Sequence, residues 1–138
     1  MERSLYDRLG GIDAITAVVR AVVDRQMKDD RINQKFARTN EDRLMKEFID
    51  LICQASGGPC TYTGRDMTEA HHNMGVTNGE WDAFVDDVVM VLNEFKVGAS
   101  EQDDLLNALA SFRREIIEVD SPQVGTALPS AFIPAPPL

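Results

Sequence analysis

Apolar side chains recur at helical spacing in four segments of this chain, and residues 1–119 show almost no strand-like alternation. The four stripes begin, in chain order, at Ile15, Leu44, Trp81 and Leu105, and the fourth runs to Val119. An amphipathic helix buries its apolar face against another element, so each stripe needs a second helix to cover it. The sequence therefore predicts an all-α domain.

Capping residues mark the starts of two of these helices. Asn40 precedes the second stripe and can accept hydrogen bonds from the first turn. Thr77 precedes the third stripe and lies three residues before Glu80, which is the spacing of a capping box. We also expect a helix over about residues 13–27, which Gly10 and Gly11 separate from a short first helix.

The net charge of −9 argues against nucleic acid or an anionic membrane as a partner, because both attract clusters of Lys and Arg. The charged N-terminal residues lack the apolar run of a signal peptide, and no segment has the length of a membrane span. We therefore expect a cytoplasmic protein. Cys53 and Cys60 lack metal-site spacing and are expected to be reduced thiols.

The composition changes after residue 119. Residues 120–138 hold five of the six prolines and a single charged residue, Asp120. Proline excludes a helix from this segment and leaves a polyproline-like or disordered chain. We expect a domain over residues 1–119 and a disordered, Pro-rich tail over residues 120–138, whose role the sequence does not indicate.

Both histidines of the chain, His71 and His72, lie in a poorly patterned segment with one helical turn near Met67 to Met74. His71 shares a helix face with those two methionines, whereas His72 falls on a polar face. An inward histidine is by default a core residue, so the spacing alone does not make His71 a ligand. The sequence offers no Cys/His quartet for zinc, no phosphate-binding loop and no assignable catalytic pair.

An ordered set of short motifs resembles the group I truncated haemoglobins over about residues 4–119. The matching positions are residues 5–11, 29–30, 36, 39–40, 57–59, 62–65, 67, 70–71 and 75–77. The resemblance implies a shortened globin in which two helix pairs enclose haem b in a 2-on-2 sandwich. It also implies that the single-turn helix carries the proximal ligand.

On this resemblance His71 is the proximal ligand of the iron. The positions that would contact the porphyrin are Phe36, Leu44, Phe48, Tyr62, Met67, His71, Val76 and Trp81. The available cations near the expected propionate edge are Arg43, Lys46 and Arg65.

The chain departs from the family on the distal side, where relatives commonly carry tyrosine and glutamine. The corresponding residues are Val23, Leu44 and Phe48, and Glu47 is the one ionisable neighbour. The resemblance thus implies an apolar distal pocket without a hydrogen-bond donor and with weak retention of O2. It leaves open whether Glu47 or Lys46 becomes a sixth ligand.

These features favour a globin that reversibly binds O2, CO or NO, as in oxygen transport or sensing, rather than a dedicated enzyme. A haem redox enzyme acting on nitric oxide, nitrite or peroxide is an alternative. A haem-free helical interaction domain is another, in which the tail binds a partner. We expect a monomer or weak dimer, with a reductase as a further partner.

Overall fold

The computed structural model describes residues 3–137. Met1, Glu2 and Leu138, which belong to the ends of the predicted domain and tail, lie outside the described residues. Residues 3–137 form a 3-10 turn, Asn33–Phe36, and seven α-helices: α1 Leu5–Leu9, α2 Gly11–Lys28, α3 Glu41–Ala55, α4 Met67–His71, α5 Asn78–Glu94, α6 Ala99–Ala110 and α7 Arg113–Ile116.

The predicted caps are confirmed. Asn40 Oδ1 accepts a hydrogen bond from the Arg43 amide at 2.9 Å and begins α3. Thr77 and Glu80 form a reciprocal capping box at the start of α5. These bonds satisfy amide groups that the first turn of a helix leaves without intrahelical partners.

Helix α2 is the centre of the packing and contacts both α3 and α5, while α5 contacts α6. Its buried face joins the main core, whose members include Val19, Val23, Ile52, Val88 and Leu92. The predicted all-α class is confirmed. The β-type pairing within residues 3–137 is a single bridge between Thr77 and Val119.

The fourth apolar stripe spans two helices instead of one. Helix α6 ends at Ala110, and α7 is a separate helix of four residues. Val119, the last residue of the predicted stripe, lies beyond both and is 43% exposed. The break directs Phe112 and Ile116 toward a cavity rather than toward the main core.

Cys53 and Cys60 form a disulfide, so the expectation of two reduced thiols is wrong for this structure. The chain reverses through Gly57, Gly58 and Pro59, which brings the two Cα atoms within 5.6 Å. A Cβ on Gly58 would overlap the ring of Tyr6, so the close packing of this turn requires glycine there. The spacing of the two cysteines in the sequence does not show that the chain reverses between them.

The C-terminal segment is ordered against the helices, which differs from the disordered tail expected from its prolines. Residues 120–137 contain no helix, yet Phe132 is only 4% exposed and packs with Met74 and Val76. Proline prevents a helix but leaves backbone carbonyls free to accept hydrogen bonds from side chains of the helical domain. Arg38 donates such a bond to the Pro129 carbonyl at 2.8 Å.

No helix among the described residues is long and apolar enough to cross a membrane.

A buried acidic pair connects α5 to the loop after α2. Asp87 is 3% exposed, and its Oδ2 has no hydrogen-bond partner within residues 3–137. Burial, with Asp29 nearby, raises the pKa of Asp87 to about 7. The hydrogen bonds from Arg31 lower the pKa of Asp29 to about 2. The fold is therefore stabilised when Asp87 is protonated and Asp29 is ionised.

We predict that Asp87→Asn raises the free energy of unfolding at pH 7 by on the order of 1–3 kcal/mol. The folded-state pKa of Asp87 lies above its usual value, so stability is lost as pH rises from about 4 to about 7. The asparagine variant should lack this decline in urea unfolding at several pH values. Asp82→Asn, at an exposed site on the same helix, is the control. An unchanged decline in the Asp87 variant would contradict the assignment.

Candidate cofactor site

A cavity of about 210 Å³ lies between α3 on one side and α4, α5 and α7 on the other. Most of its walls are apolar. Its lining includes Leu44, Phe48 and Leu51 of α3, Met67 and His71 of α4, Trp81 and Phe84 of α5, and Ile116 of α7. These aromatic and aliphatic side chains come from four separate helices, so the cavity exists only in the folded chain.

His71 faces this cavity and His72 faces solvent, as the helical spacing predicts. Asp66 begins α4 by accepting a hydrogen bond from the Glu69 amide at 2.8 Å. His71 Nδ1 lies 2.9 Å from the Met67 carbonyl, which can only accept, so Nδ1 carries the proton. Burial lowers the pKa of His71 and favours the neutral ring. Nε2 is therefore left with a free lone pair, the form in which imidazole binds a metal.

The loop after α4 is held by a carboxylate from the far end of the domain. Glu118 accepts hydrogen bonds from the Asn73 amide at 2.9 Å and from the Gly75 amide at 2.7 Å. Asn73 and Gly75 both have positive φ, 63° and 71°, so the chain turns sharply here. This clamp fixes the single turn of helix that carries His71.

The structure brings together all the residues predicted to contact a porphyrin. The cavity is lined by Phe36, Leu44, Phe48, Tyr62, Met67, His71, Val76 and Trp81. The Tyr62 hydroxyl is not free to bind a ligand in the cavity, because it donates a hydrogen bond to the Arg65 carbonyl. Burial raises the pKa of Tyr62, which keeps the hydroxyl protonated.

Val23, predicted as a distal residue, does not line the cavity. It is fully buried in the helical core, and α2 contributes Gln26 to the cavity lining instead. The Gln26 side chain is 3% exposed, and its Oε1 has no partner in the part of the chain that the structure describes. Sequence reasoning missed Gln26, although a polar residue one turn after Val23 on the buried face of α2 is the signal.

The predicted charged residues divide into two groups. Arg43, Glu47 and Arg65 line the cavity, with Arg43 Nε 2.7 Å from Glu47 Oε1. Lys46 instead pairs with Asp50 at 2.9 Å and is not among the lining residues. The Glu47 carboxylate therefore forms an ion pair with Arg43 on the preceding turn of α3.

These residues suit a flat, apolar cofactor that needs one protein ligand to its metal. Residues 3–137 contain no group of three or more His, Cys, Asp or Glu side chains placed to hold a bare metal ion. One neutral imidazole in an aromatic cavity, with arginines among the lining residues, instead fits an iron porphyrin with its charged propionates. The fold and the cavity thus define a helical haem-binding protein of the globin type.

Comparison with known proteins gives the same result. The family model for bacterial-like globins matches residues 4–118. Group 1 truncated hemoglobin of Mycolicibacterium paratuberculosis is 30% identical over 113 residues, covering 82% of this chain and 83% of the relative. That of Tetrahymena pyriformis is 28% identical and covers 83% of this chain and 95% of the relative. The chain belongs to the bacterial-like globins, among the group 1 truncated haemoglobins.

Solved structures agree with the 2-on-2 arrangement. The crystal structure of truncated hemoglobin from Tetrahymena pyriformis in its Fe(III) form has a TM-score of 0.80 at 28% identity, covering 83% of this chain and 98% of that chain. The 2/2 hemoglobin from Synechococcus, solved in the cyanomet state with covalently attached heme, has a TM-score of 0.79 at 26% identity, with the same coverage. The predicted truncated-globin fold and haem cofactor are confirmed.

Proposed function

We propose that His71 Nε2 binds the iron of haem b and that the protein reversibly binds O2, CO or NO. Haem iron supplies the coordination position at which such diatomic molecules bind. The hydrogen bond between His71 Nδ1 and the Met67 carbonyl is the observation that carries the assignment. It fixes the tautomer and the orientation of the ring, which is the usual second-shell arrangement of a histidine that binds a metal.

We propose that the residues lining the cavity contact the porphyrin ring. Phe36 and Trp81 offer aromatic faces, and Met67 and Val76 offer buried aliphatic surface. These side chains exclude water from the space around the metal, which slows loss of an electron from ferrous iron. Arg43 and Arg65 are the cations assigned to the propionates.

We propose that the residues on the distal side of the cavity stabilise bound O2 only weakly. Leu44 and Phe48 provide apolar surface, Glu47 is paired with Arg43, and Val23 belongs to the main core. The Gln26 amide is the remaining buried polar group of α2 at the cavity, and rotation about its last side-chain bond can present its NH2. A neutral hydrogen bond of this kind contributes about 0.5–1.5 kcal/mol, less than one to a charged group.

The same observations favour gas binding over a haem redox enzyme. General acid catalysis needs a proton donor with a pKa near neutrality in reach of the substrate. Glu47 forms an ion pair with Arg43, and the Tyr62 hydroxyl is bonded to the Arg65 carbonyl. Oxygen transport, a reductase partner and a monomeric or weakly dimeric state remain predictions from the sequence.

We predict that His71→Ala abolishes stable haem binding, whereas His72→Ala leaves it nearly unchanged. Nε2 of His71 is the proposed ligand, while the His72 side chain is 70% exposed. The absorption spectrum of each purified protein after haem reconstitution measures the difference. Loss of the haem spectrum in the His72 variant would place the ligand one residue further along the chain.

We predict that Gln26→Leu speeds O2 dissociation by roughly 2- to 10-fold, the range that one neutral hydrogen bond supplies. CO dissociation should change less, because CO carries less negative charge on its outer atom. Stopped-flow displacement of each gas gives both rates. Equal dissociation rates for O2 in the two proteins would remove Gln26 from the distal site.

Val23→Tyr tests whether the tyrosine that relatives commonly carry on the distal side can act as a hydrogen-bond donor in this protein. If a tyrosine at this position reaches the cavity, O2 dissociation should slow by roughly ten-fold or more, because a charge-assisted hydrogen bond contributes about 1.5–3 kcal/mol. Val23 is fully buried in the structure, so the larger ring must displace neighbouring side chains. Association rates measured alongside distinguish a new donor from an obstructed cavity.

The cytoplasmic location expected from the sequence also remains a prediction, and the cysteine pair tests it. Disulfides are rare in a reducing cytoplasm, so in that compartment the Cys53–Cys60 bond seen in the structure should be largely reduced. Alkylation during lysis of the native cells, followed by intact mass measurement, should add two alkyl groups per chain. A mass without added groups would indicate a persistent disulfide and an oxidising compartment.

A further inference from the structure

We propose that residues 121–136 form a strap that closes the haem cavity and slows loss of the cofactor. This inference rests on the proposed haem site. The strap has two parts with separate contacts. Its anchor, residues 121–132, is bonded to the buried interior and to α5, and its lid, residues 133–136, carries cavity-lining residues at the mouth.

The anchor is bonded to a buried ion pair, Lys35 and Glu80. Lys35 Nζ lies 3.6 Å from Glu80 Oε1, and the two side chains are 4% and 1% exposed. Glu80 Oε2 accepts two hydrogen bonds from Thr126, one from its amide and one from its hydroxyl, each 2.8 Å long. Lys35 Nζ donates to the Ala127 carbonyl at 3.0 Å. The strap therefore supplies partners that two buried charges require.

Lys35 also ties the strap to the loop that follows His71. Its Nζ donates to the Met74 carbonyl at 3.0 Å and to the Gly75 carbonyl at 3.2 Å. Burial lowers the pKa of Lys35, while Glu80 opposes that shift. One ammonium group thus holds the strap and the proximal loop together.

Helix α5 is shaped to receive the strap at Gly79. A Cβ on this residue would overlap the Pro122 carbonyl, and the Gly79 amide donates to the Ser121 carbonyl at 3.1 Å. The Ser121 amide in turn donates to Asn78 Oδ1 at 2.8 Å. Glycine is unfavourable for a helix, so its use in α5 fits a requirement for close approach of the strap.

The lid covers the mouth of the cavity next to the predicted propionate cations. Phe132, at the junction of anchor and lid, lines the cavity together with Pro134 and Ala135. Arg65 donates to the Ile133 carbonyl at 2.8 Å, and Arg43 donates to the Pro136 carbonyl at 3.4 Å. Haem leaving the cavity would have to break these contacts, so the strap should slow its dissociation.

The test measures haem transfer from the ferric protein to excess apomyoglobin. Phe132→Ala removes a ring that is 4% exposed, and a chain ending at Phe132 removes the lid but keeps the anchor. Phe132→Ala should lose haem roughly ten-fold faster or more, as expected for the loss of one buried aromatic contact. Removal of the lid should also speed the loss, because Pro134 and Ala135 no longer line the cavity. Ile133→Ala is the matched control, because that side chain is 74% exposed and adjacent in sequence.

The outcomes separate this proposal from the proposed function. A full-length chain that binds no haem would refute the proposed function. A chain that binds haem but loses it at the same rate after Phe132→Ala and after lid removal would refute the strap alone. Slower loss after lid removal would also refute it, because it would show that the lid competes with haem for the arginines.

A second measurement needs no cofactor. In the full-length apo-protein, Gly79→Ala should lower the melting temperature, because the new methyl group overlaps the Pro122 carbonyl. An unchanged or higher melting temperature in the alanine variant would contradict docking of the strap on α5.

Discussion

The buried pair of Lys35 and Glu80 is the interaction on which the parts of the site depend. It joins the 3-10 turn after α2, the capping box of α5, the loop after α4 and the C-terminal strap. Removing a charged side chain from water is costly unless all its hydrogen-bonding positions are filled. The pair therefore requires each of these four segments to be in place, which couples the geometry of the proximal loop to that of the strap.

Local signals in the sequence predicted local structure well. Asn40 and the Thr77–Glu80 pair are found as caps where the spacing placed them, because capping depends on residues three positions apart. The opposite orientations of His71 and His72 follow from helical rotation alone. The set of cavity-lining residues was predicted from the resemblance to truncated haemoglobins. The helical periodicity alone would have assigned the same residues to the hydrophobic core.

Contacts between distant segments were not visible in the sequence. The docking of the strap depends on a hydrogen bond between Thr126 and Glu80, which are 46 positions apart. Because the sequence does not show that contact, the proline content of the strap suggested disorder. Cys53 and Cys60 meet because Gly57, Gly58 and Pro59 reverse the chain between them. Val23 matches a distal position along the chain, but the rotation of α2 places Gln26 at the cavity instead. Each case depends on where a side chain lies in three dimensions.

The distribution of polarity in the cavity suits the two ends of an amphipathic cofactor. Aromatic and aliphatic residues from α3, α4 and α5 line most of the wall, whereas Arg43 and Arg65 hold carbonyls of the lid. An arginine has five N–H donors, so bonding to one lid carbonyl leaves others for a carboxylate. The lid and the propionates can therefore share the same two guanidinium groups. The strap would then be held more firmly when haem is present, because the cofactor supplies the apolar surface that Phe132, Pro134 and Ala135 face.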